Sequence, residues 1–241
     1  MLDRELSKSG AHADARSRRL KPLENKSQGT LLVHEIYTSI QGEGLHAGLP
    51  CLFIRLTACH LRCGYCDTPH AFLVGRERTV SDVLEEARAS GRTLIEVTGG
   101  EPLLQPEVHP LLSGLADLGS TVLLETSGAS PIDDVDPRVR IILDIKTPGS
   151  GEERAGIVEN YRHLDDRDEL KVVICNRADF DWTLDHIRTH RLLEKCPVLV
   201  SPAFGQVDPR ALAEWVLESG LPLRLQLQLH KFLWAPNARG V

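Results

Sequence analysis

An α/β fold, in which a mainly parallel sheet curves into a partial, open βα barrel, is what this sequence predicts. Short apolar runs alternate with amphipathic helical patterns along the chain, which is typical of parallel βαβ units. The runs are nearly continuously apolar, as expected for strands that are covered on both faces. Only four helices can be placed in the 241 residues. Because a complete TIM barrel typically needs about 250 residues, a TIM-like barrel that stays open is expected.

The predicted elements follow one another from residue 30 onward. Strands are expected at TLLVHEIYTSI (30–40) and CLFIRLTA (51–58), and a helix over 79–91 has Thr79 or Ser81 as its N-cap and Gly91 as its end. Further strands are predicted at 93–100, 121–128, 139–147, 169–176 and 197–202, with helices at 105–119, 178–195 and 208–220. The alternating run PLRLQLQLHKFLW (222–234) predicts a last strand at the edge of the sheet.

Composition and charge limit the possible classes of function. The chain has no apolar run of membrane-spanning length, and its first residues lack the apolar core of a secretory signal. Six cysteines without an export signal indicate a reducing cytoplasm, in which clustered thiols bind metal or do redox work. The net charge of −6 gives no support to direct nucleic-acid binding. We therefore expect a cytoplasmic protein without membrane contact.

Residues 1–28 differ in composition from the remainder. They hold seven Lys/Arg and four Asp/Glu and show no hydrophobic period. This segment is predicted to be a disordered polar tail, and residues 29–241 are predicted to form one domain. A basic arm for RNA is the alternative, which so few charges do not favour.

Three cysteines lie within eight positions of the stretch LTACHLRCGYCDTPHAF (56–72). Their spacing is C-x3-C-x2-C. Zinc requires four ligands, and His60 or His70 is available to complete such a set. A [4Fe–4S] cluster held by three thiolates instead keeps one iron open for an external ligand. The remaining cysteines lie on or beside apolar runs and are interpreted as buried free thiols: Cys51, Cys175 and Cys196.

Polar residues and glycines collect where the predicted strands end. In parallel βα folds, ligands bind at this carboxyl edge of the sheet. Ordinary turn chemistry also places glycine, proline and serine in such loops. Several polar strand ends in succession nevertheless predict a binding site, with the cluster loop at the same edge. The segments are TGGEP (98–102), ETSG (125–128), DIKTP (144–148), SP (201–202) and HK (230–231).

The cysteine triplet, Tyr65 before its last cysteine and GGEP at 99–102 together resemble the radical S-adenosylmethionine (SAM) enzymes. In that superfamily the amino and carboxylate groups of SAM chelate the open iron of a [4Fe–4S] cluster. SAM would then occupy the fourth position that the three cysteines leave open.

A narrower resemblance covers residues 30–241. The segments SIQGEG before the triplet, CDT at its end and the final QLHKFLW are similar to the 7-carboxy-7-deazaguanine synthase family. This resemblance implies conversion of 6-carboxy-5,6,7,8-tetrahydropterin to 7-carboxy-7-deazaguanine, with loss of ammonia. The reaction is a radical ring contraction that requires Mg²⁺ and belongs to queuosine and 7-deazapurine biosynthesis.

The resemblance also implies roles for individual residues. Cys59, Cys63 and Cys66 would hold the cluster, and Thr68 would bind Mg²⁺. The implied SAM contacts are Tyr65, Asp67, Gly99, Gly100, Glu101, Asp144, Lys146, Ser201 and Pro202. The implied substrate contacts are Ile40, Gln41, Gly42, Glu43, Arg55, Thr98, Glu125, His230 and Lys231. The family often has Ser-Pro-Lys where this chain has Asp-Ile-Lys.

Several of these residues have a second interpretation. Asp67 and Thr68 also fit a turn before Pro69. Glu125 also fits a solvated strand end. Arg55, inside an apolar strand, needs an anion. That anion is either the substrate carboxylate, which matches the guanidinium fork, or an internal acid. The polar face of the last strand, which carries His230, also fits a wet edge.

Partners and rival functions complete the predictions. The family implies an electron donor such as flavodoxin or ferredoxin, and a homodimer is expected. The residues after Lys231 are predicted either to fold over the pocket or to wrap a dimer partner, with Trp234 as an anchor. Two other functions remain open: an activase that makes a glycyl radical on a partner protein, and a zinc-bearing structural or RNA-binding module.

Overall fold

A nine-stranded sheet carries the fold in the computed structural model, which describes residues 18–241. The strands are β1 (Thr30–Ile40), β2 (Pro50–Leu56), β3 (Arg76–Thr79), β4 (Leu94–Gly99), β5 (Thr121–Thr126), β6 (Arg140–Ile145), β7 (Glu169–Ile174), β8 (Val198–Pro202) and β9 (Arg224–Leu225). Their spatial order is β3-β1-β2-β4-β5-β6-β7-β8-β9.

The sheet is mainly parallel and open. From β2 through β9 each neighbouring pair in the spatial order is parallel, whereas β1 lies antiparallel to both β2 and β3. The outermost strands, β3 and β9, do not pair with each other within residues 18–241. This arrangement confirms the prediction of a partial, TIM-like βα barrel.

Four helices cover the outer face of the sheet: α1 (Val80–Ser90), α2 (Val108–Asp117), α3 (Arg177–His190) and α4 (Pro209–Ser219). Thr79 is the N-cap of α1 and forms a capping box with Asp82, while Gly91 ends the helix in the left-handed conformation. Single helical turns span Lys21–Glu24 and His230–Leu233. Short 3-10 segments lie at Pro69–Phe72, Pro102–Leu104, Pro148–Ser150, Glu153–Ala155, Val158–His163 and Leu192–Glu194.

The apolar core lies between the sheet and these helices. One cluster joins β1, β2, β4 and β5 to α1 and α2, with Ile54 and Leu111 fully buried. A second cluster joins β6, β7 and β8 to α3 and α4 around Phe180. Alternate residues of the same strands point to the other face, which lines a pocket. The sheet thus separates an apolar outer layer from a polar interior.

The last strand is much shorter than predicted. The run 222–234 forms a strand only at Arg224–Leu225, and a helical turn begins at His230. After Gln226, which still donates from its backbone to Val200, the chain turns away from β8, and the backbone of Leu229 donates to Gly42. The alternation of Gln226 and Gln228 therefore reflects contacts inside the pocket and not a wet edge strand. The edge strand β3, sequence RERT, was not predicted because its charged residues hide the strand pattern.

The described part of the predicted tail lies against the domain. Arg19 donates to the carbonyl of His60 at 2.8 Å, and Lys26 pairs with Glu107 at 2.7 Å. Residues 18–28 thus differ from the expectation of disorder, whereas residues 1–17 lie outside the described part. The domain boundary at residue 28 stays a prediction. Within residues 18–241, no helix is both long enough and apolar enough to cross a membrane.

Candidate active site

A pocket of about 450 Å³ lies on the inner face of the open barrel, at the carboxyl ends of the parallel strands. The loop after β2 forms one wall and carries the three clustered cysteines. Alternate residues of β2 and β4 to β8 form the floor, and residues from the last part of the chain form the opposite rim. The pocket brings together most of the residues predicted from the sequence.

The cysteine loop is held in a strained, fixed conformation. Ala58, just before Cys59, has φ of 80°, a value that non-glycine residues rarely adopt. Its carbonyl accepts from the backbone of Glu101 at 2.8 Å, and Gly64 donates to Ser150 at 3.0 Å. Cys59, Cys63 and Cys66 all line the pocket, and all are free thiols. Three thiols on one loop facing one cavity fit a cluster with one open iron.

Burial affects the ionisation of two of these thiols, Cys59 and Cys63. It raises the pKa of Cys59 to about 12 and also raises that of Cys63. Metal binding requires thiolates, so bound iron must supply the charge that stabilises them. Without a metal, Cys59 and Cys63 would stay protonated at neutral pH.

The two glycines of GGEP allow the loop after β4 to approach the cysteine loop. Gly99 has φ of 148°, and a Cβ atom there would lie 2.2 Å from the carbonyl oxygen of Leu56. A Cβ at Gly100 would lie 2.1 Å from the carbonyl oxygen of Ala58. Any side chain would therefore push the two loops apart. Both glycines also line the pocket, and their contact with SAM stays a prediction.

Glu101 does not line the pocket. It is fully buried, and its carboxylate accepts four hydrogen bonds from the protein, including Thr126 Oγ1 at 2.8 Å and the backbone of Leu103 at 3.1 Å. The backbone and the hydroxyl of Ser127 donate to its second oxygen. Glu101 therefore fastens the loop after β4 to the end of β5, and its predicted contact with SAM stays a prediction.

Three of the predicted SAM residues have a buried polar atom without a hydrogen-bond partner in the described part of the chain: Tyr65 Oη, Asp144 Oδ1 and Ser201 Oγ. Tyr65 and Asp144 line the pocket, whereas Ser201 does not, and Pro202 borders a neighbouring cavity. Lys146 pairs with the other oxygen of Asp144 at 2.7 Å. Burial raises the pKa of Asp144 despite this ammonium. Unpartnered buried atoms are costly, so those of Tyr65 and Asp144 fit a polar cosubstrate.

A lysine between two carboxylates forms the centre of the floor. Lys171 Nζ lies 2.8 Å from Glu43 and 2.7 Å from Glu125, and Thr98 donates to the other oxygen of Glu125 at 2.8 Å. Burial would raise the pKa of Glu125, but Lys171 and Thr98 outweigh it and lower this pKa to about 2. Glu125 is thus an ionised, internally paired group and not the solvated strand end that the sequence also allowed.

A second buried acid lies beside this network. Glu96 is 4% exposed and lines the pocket, and its carboxylate accepts from the side-chain amide of Gln41. Burial and the nearby charge of Glu125 raise the pKa of Glu96 to about 8. At neutral pH the floor therefore presents one ionised and one protonated carboxyl group. Together they can both accept and donate hydrogen bonds.

Arg55 has the internal acid that the sequence offered as its alternative partner. Its Nε donates to Glu35 at 2.9 Å, and one terminal nitrogen donates to the hydroxyl of Tyr37 at 2.9 Å. The other terminal nitrogen has no hydrogen-bond partner within residues 18–241. Since Arg55 also lines the pocket, a contact with a substrate carboxylate stays a prediction.

The residues beside the third cysteine and those of the last helical turn meet across the pocket. Lys231 lies 2.9 Å from Asp67. Burial would raise the pKa of Asp67, but Lys231, Lys171 and His230 outweigh it and lower this pKa to about 2. Thr68 is the N-cap of the 3-10 segment, yet its hydroxyl makes no capping hydrogen bond. That oxygen lies 3.8 Å from Cys66 Sγ, a contact that still leaves it lone pairs for a metal ion at the pocket.

The residues after Lys231 lie over the pocket. Ala235, Pro236 and Ala238 line it, as do the last three residues of the chain. The segment therefore lies where the first of the two alternatives places it, and its contact with a dimer partner stays a prediction. Trp234 is half-buried but does not line the cavity. Ile40 and Gly42 also line the pocket, and their contact with substrate stays a prediction.

The sequence reasoning missed several pocket residues. Lys171 and Glu96 each lie inside an apolar strand, which is the same signal that identified Arg55. A charged residue within a buried strand requires a partner, so applying that rule to every strand would have found both. Tyr37 and Phe53, whose rings stack at 5.2 Å on the inner face of the sheet, carry no comparable signal.

Comparisons with known proteins agree with this site. The Radical SAM superfamily model matches residues 53–148, which include the cysteine loop and GGEP. The 7-carboxy-7-deazaguanine synthase of Chlorobaculum tepidum is 45% identical over 218 residues, covering 89% of this chain and 99% of that protein. The 7-carboxy-7-deazaguanine synthase of Koribacter versatilis is 43% identical over 224 residues, covering 87% and 99%.

Solved structures show the same fold. QueE from Escherichia coli matches with a TM-score of 0.69 at 22% identity, covering 87% of this chain and 98% of that chain. SuiB from Streptococcus suis, bound to its precursor peptide SuiA, matches with a TM-score of 0.53 at 13% identity, covering 70% and 46%. Both likenesses are in architecture: an incomplete, mainly parallel barrel.

Proposed function

We propose that the inner pocket of this chain binds 6-carboxy-5,6,7,8-tetrahydropterin beside a [4Fe–4S] cluster and SAM. The premise is that the chain belongs to the 7-carboxy-7-deazaguanine synthase family of the radical SAM superfamily. The chain is a radical SAM enzyme of 7-deazapurine biosynthesis, and this membership gives no support to a glycyl-radical activase or a zinc-bearing module. One observation supports the assignment of the pocket. The three free thiols and the charged floor open into the same cavity of about 450 Å³.

The residues that hold the cofactors lie on the cysteine loop and at the ends of β4 and β6. We propose that Cys59, Cys63 and Cys66 ligate the cluster. Asp144 and Tyr65, with their unpartnered oxygens, would bind polar groups of SAM. When bound, the cluster and SAM together supply the radical chemistry, while the protein positions the reactants and excludes water.

The floor suits the pyrimidinone edge of a pterin. That edge carries N–H donors next to a carbonyl acceptor. The ionised Glu125 accepts from the donors, and the protonated Glu96 donates to the acceptor. Lys171 holds Glu125 in place at 2.7 Å and keeps it charged. The free terminal nitrogen of Arg55 would donate to the substrate carboxylate at the other end.

Mg²⁺ belongs to the same proposal through Thr68. Its hydroxyl lines the pocket and is not used in capping. Mg²⁺ takes few protein ligands and keeps waters, so one hydroxyl together with substrate oxygens suffices. Thr68→Val removes this oxygen at nearly constant shape and should raise the Mg²⁺ concentration needed for half-maximal turnover. Thr68→Ser keeps the oxygen and is the matched control.

The deciding experiment is anaerobic incubation of the reconstituted enzyme with SAM, a reductant, Mg²⁺ and carboxytetrahydropterin. The product is identified by mass. We expect 7-carboxy-7-deazaguanine and ammonia in equal amounts. Cleavage of SAM without this product would retain the superfamily and reject the substrate.

Further features of the proposal concern partners and location. A flavodoxin- or ferredoxin-type electron donor, a homodimer and a cytoplasmic location are our predictions. Six free cysteines fit a reducing compartment. Exposed apolar side chains near β9, among them Leu217, Leu225 and Phe232, offer a surface for self-association.

A further inference from the structure

Three potential metal ligands meet at the rim of the pocket, and none of them is a proposed ligand of the cluster or of Mg²⁺. One of them, His70, lies on the cysteine loop two residues after Thr68. A ring nitrogen of His34, a carboxylate oxygen of Glu35 and a ring nitrogen of His70 all lie within 4.8 Å of one another. All three residues are half-buried, and Glu35 and His70 also line the pocket. None of the proposed roles in cofactor or substrate binding uses the two histidines.

An irregularity in β1 accounts for the approach of His34 and Glu35. Neighbouring residues of a regular strand point to opposite faces, so these two side chains would normally diverge. The pairing with β2 shifts between Val33, opposite Leu56, and Glu35, opposite Arg55. His34 is therefore the extra residue of a β-bulge, a feature that re-aims side chains and often occurs next to active sites.

The hydrogen bond of His34 leaves a lone pair, and not a proton, on its other ring nitrogen. His34 Nδ1 lies 2.6 Å from the carbonyl oxygen of Val74. A carbonyl only accepts, so Nδ1 carries the proton and Nε2 keeps its lone pair. Ligating histidines typically donate their second nitrogen in this way.

The surrounding charges select the kind of ion. Glu35 Oε1 accepts from Arg55 Nε at 2.9 Å and lies 3.8 Å from His70 Nε2. The carboxylate thus lies between a guanidinium and an imidazole, and its other oxygen has lone pairs to spare. Two imidazoles and one carboxylate suit a transition ion, whereas Mg²⁺ and Ca²⁺ prefer oxygen ligands. The positive charge of the nearby Arg55 guanidinium further disfavours cations that are held mainly by electrostatic attraction.

We propose that His34, Glu35 and His70 bind a zinc-class divalent transition ion at the rim of the pocket. Zinc bonds of about 2.0–2.1 Å place tetrahedral ligands about 3.3 Å apart. The three side chains would have to close by at most about 1.5 Å from their present spacing, which small rotamer changes allow. A fourth position remains for water, as in sites with three protein ligands. Glu35 also accepts a hydrogen bond from Arg55, which lines the pocket. A bound ion would therefore contact the same carboxylate as Arg55.

The test uses the cluster-loaded protein under anaerobic conditions, with Mg²⁺ in excess. Zn²⁺ is titrated against a chelating indicator, and iron content and the visible absorbance of the cluster are followed in the same sample. We expect one Zn²⁺ per chain with the iron retained. His34→Gln and His70→Gln should each weaken binding more than the about 10- to 100-fold that loss of an outer-shell partner costs. His163→Gln, on the exposed 3-10 segment Val158–His163, is the matched control and should bind as wild type.

Co²⁺ serves as a second probe because its absorbance reports the ligand set. We expect the bands of tetrahedral nitrogen and oxygen ligation without a thiolate charge-transfer band. The proposal is overturned if zinc binding is unchanged in both histidine variants, if no ion is retained, or if uptake of zinc releases iron. The readout is binding and not turnover, so failure of the proposed reaction would leave this result interpretable.

Discussion

The two faces of the same parallel strands contrast sharply. On the outer face, Leu170 and Val172 of β7 are fully buried against α3 and α4 in an apolar cluster. On the inner face, their neighbour Lys171 lies between Glu43 and Glu125. One strand thus supports the fold with every second residue and builds the site with the others. Changes on the two faces should therefore have separable effects, which the following predictions test.

The largest effect is expected at the cysteine loop. Cys59→Ala, Cys63→Ala and Cys66→Ala should each remove the cluster and all activity, since the three thiols line one pocket and no fourth cysteine lies on this loop. The controls are Cys196→Ala in the outer apolar cluster, Cys51→Ala in a small apolar cluster with Phe53 and Cys175→Ala, and all three should keep full iron content. Iron and sulfide analysis of the six proteins measures this. Iron loss in a control would reassign the ligands.

The next prediction compares substitutions at two adjacent residues of β7. Lys171→Met leaves Glu43 and Glu125 without their cation and should reduce the free energy of unfolding by about 3–5 kcal/mol. It should also abolish turnover at low substrate. Leu170→Ala, its outer-face control, should cost about 2–5 kcal/mol through the cavity that it leaves. Its KM should nevertheless be unchanged.

Denaturant unfolding and steady-state kinetics on both proteins separate the two faces. A Lys171→Met protein with wild-type KM would show that the charged network is structural and that the pocket floor does not bind the substrate. A raised KM in Leu170→Ala would show that the two faces are coupled.

Arg55 tests the rim of the inner face. Arg55→Lys keeps the charge and one bond to Glu35, but loses the planar fork. We expect KM for the pterin to rise by a factor that corresponds to a loss of about 2 kcal/mol or more of binding free energy. Iron content should stay near wild type. Arg138→Lys, in an exposed ion pair with Asp117, is the matched control. A stable, iron-loaded Arg55→Lys protein with unaltered KM would limit Arg55 to its pair with Glu35.

The last prediction depends on pH. Because burial and Glu125 raise the pKa of Glu96 from 4.5 to about 8, the folded protein holds a proton that the unfolded chain releases. Stability should therefore fall as pH rises from about 4.5 to about 8. Glu96→Gln removes this titration. The free energy of unfolding of the variant relative to that of wild type should therefore increase as pH rises from about 4.5 to about 8. Thermal unfolding at pH 5, 7 and 9 measures the difference. A pH-independent difference would mean that Glu96 is ionised throughout.

The sequence by itself determined the outer face. Apolar runs alternating with capped helices predicted the open α/β barrel. Strands and helices whose apolar residues recur at fixed periods can bury them in only a few layered architectures. The cysteine spacing predicted the cluster loop for a local reason: three ligands of one cluster lie within eight positions of the chain. The Gly-Gly pair was predicted only as a contact of SAM, and the structure alone showed how closely it approaches the backbone of Leu56 and Ala58.

Tertiary structure alone decided how the inner charges are paired. Lys171 meets Glu43 and Glu125 across 128 and 46 positions of the chain, and no periodicity encodes such a contact. The last residues show the same limit. The alternating run 222–234 predicted a strand, but hydrogen bonds from Gln226 and Gln228 to Glu43 draw it into the pocket instead. Buried polar groups take whichever partner the fold brings near, and the strength of those contacts outweighs local strand propensity.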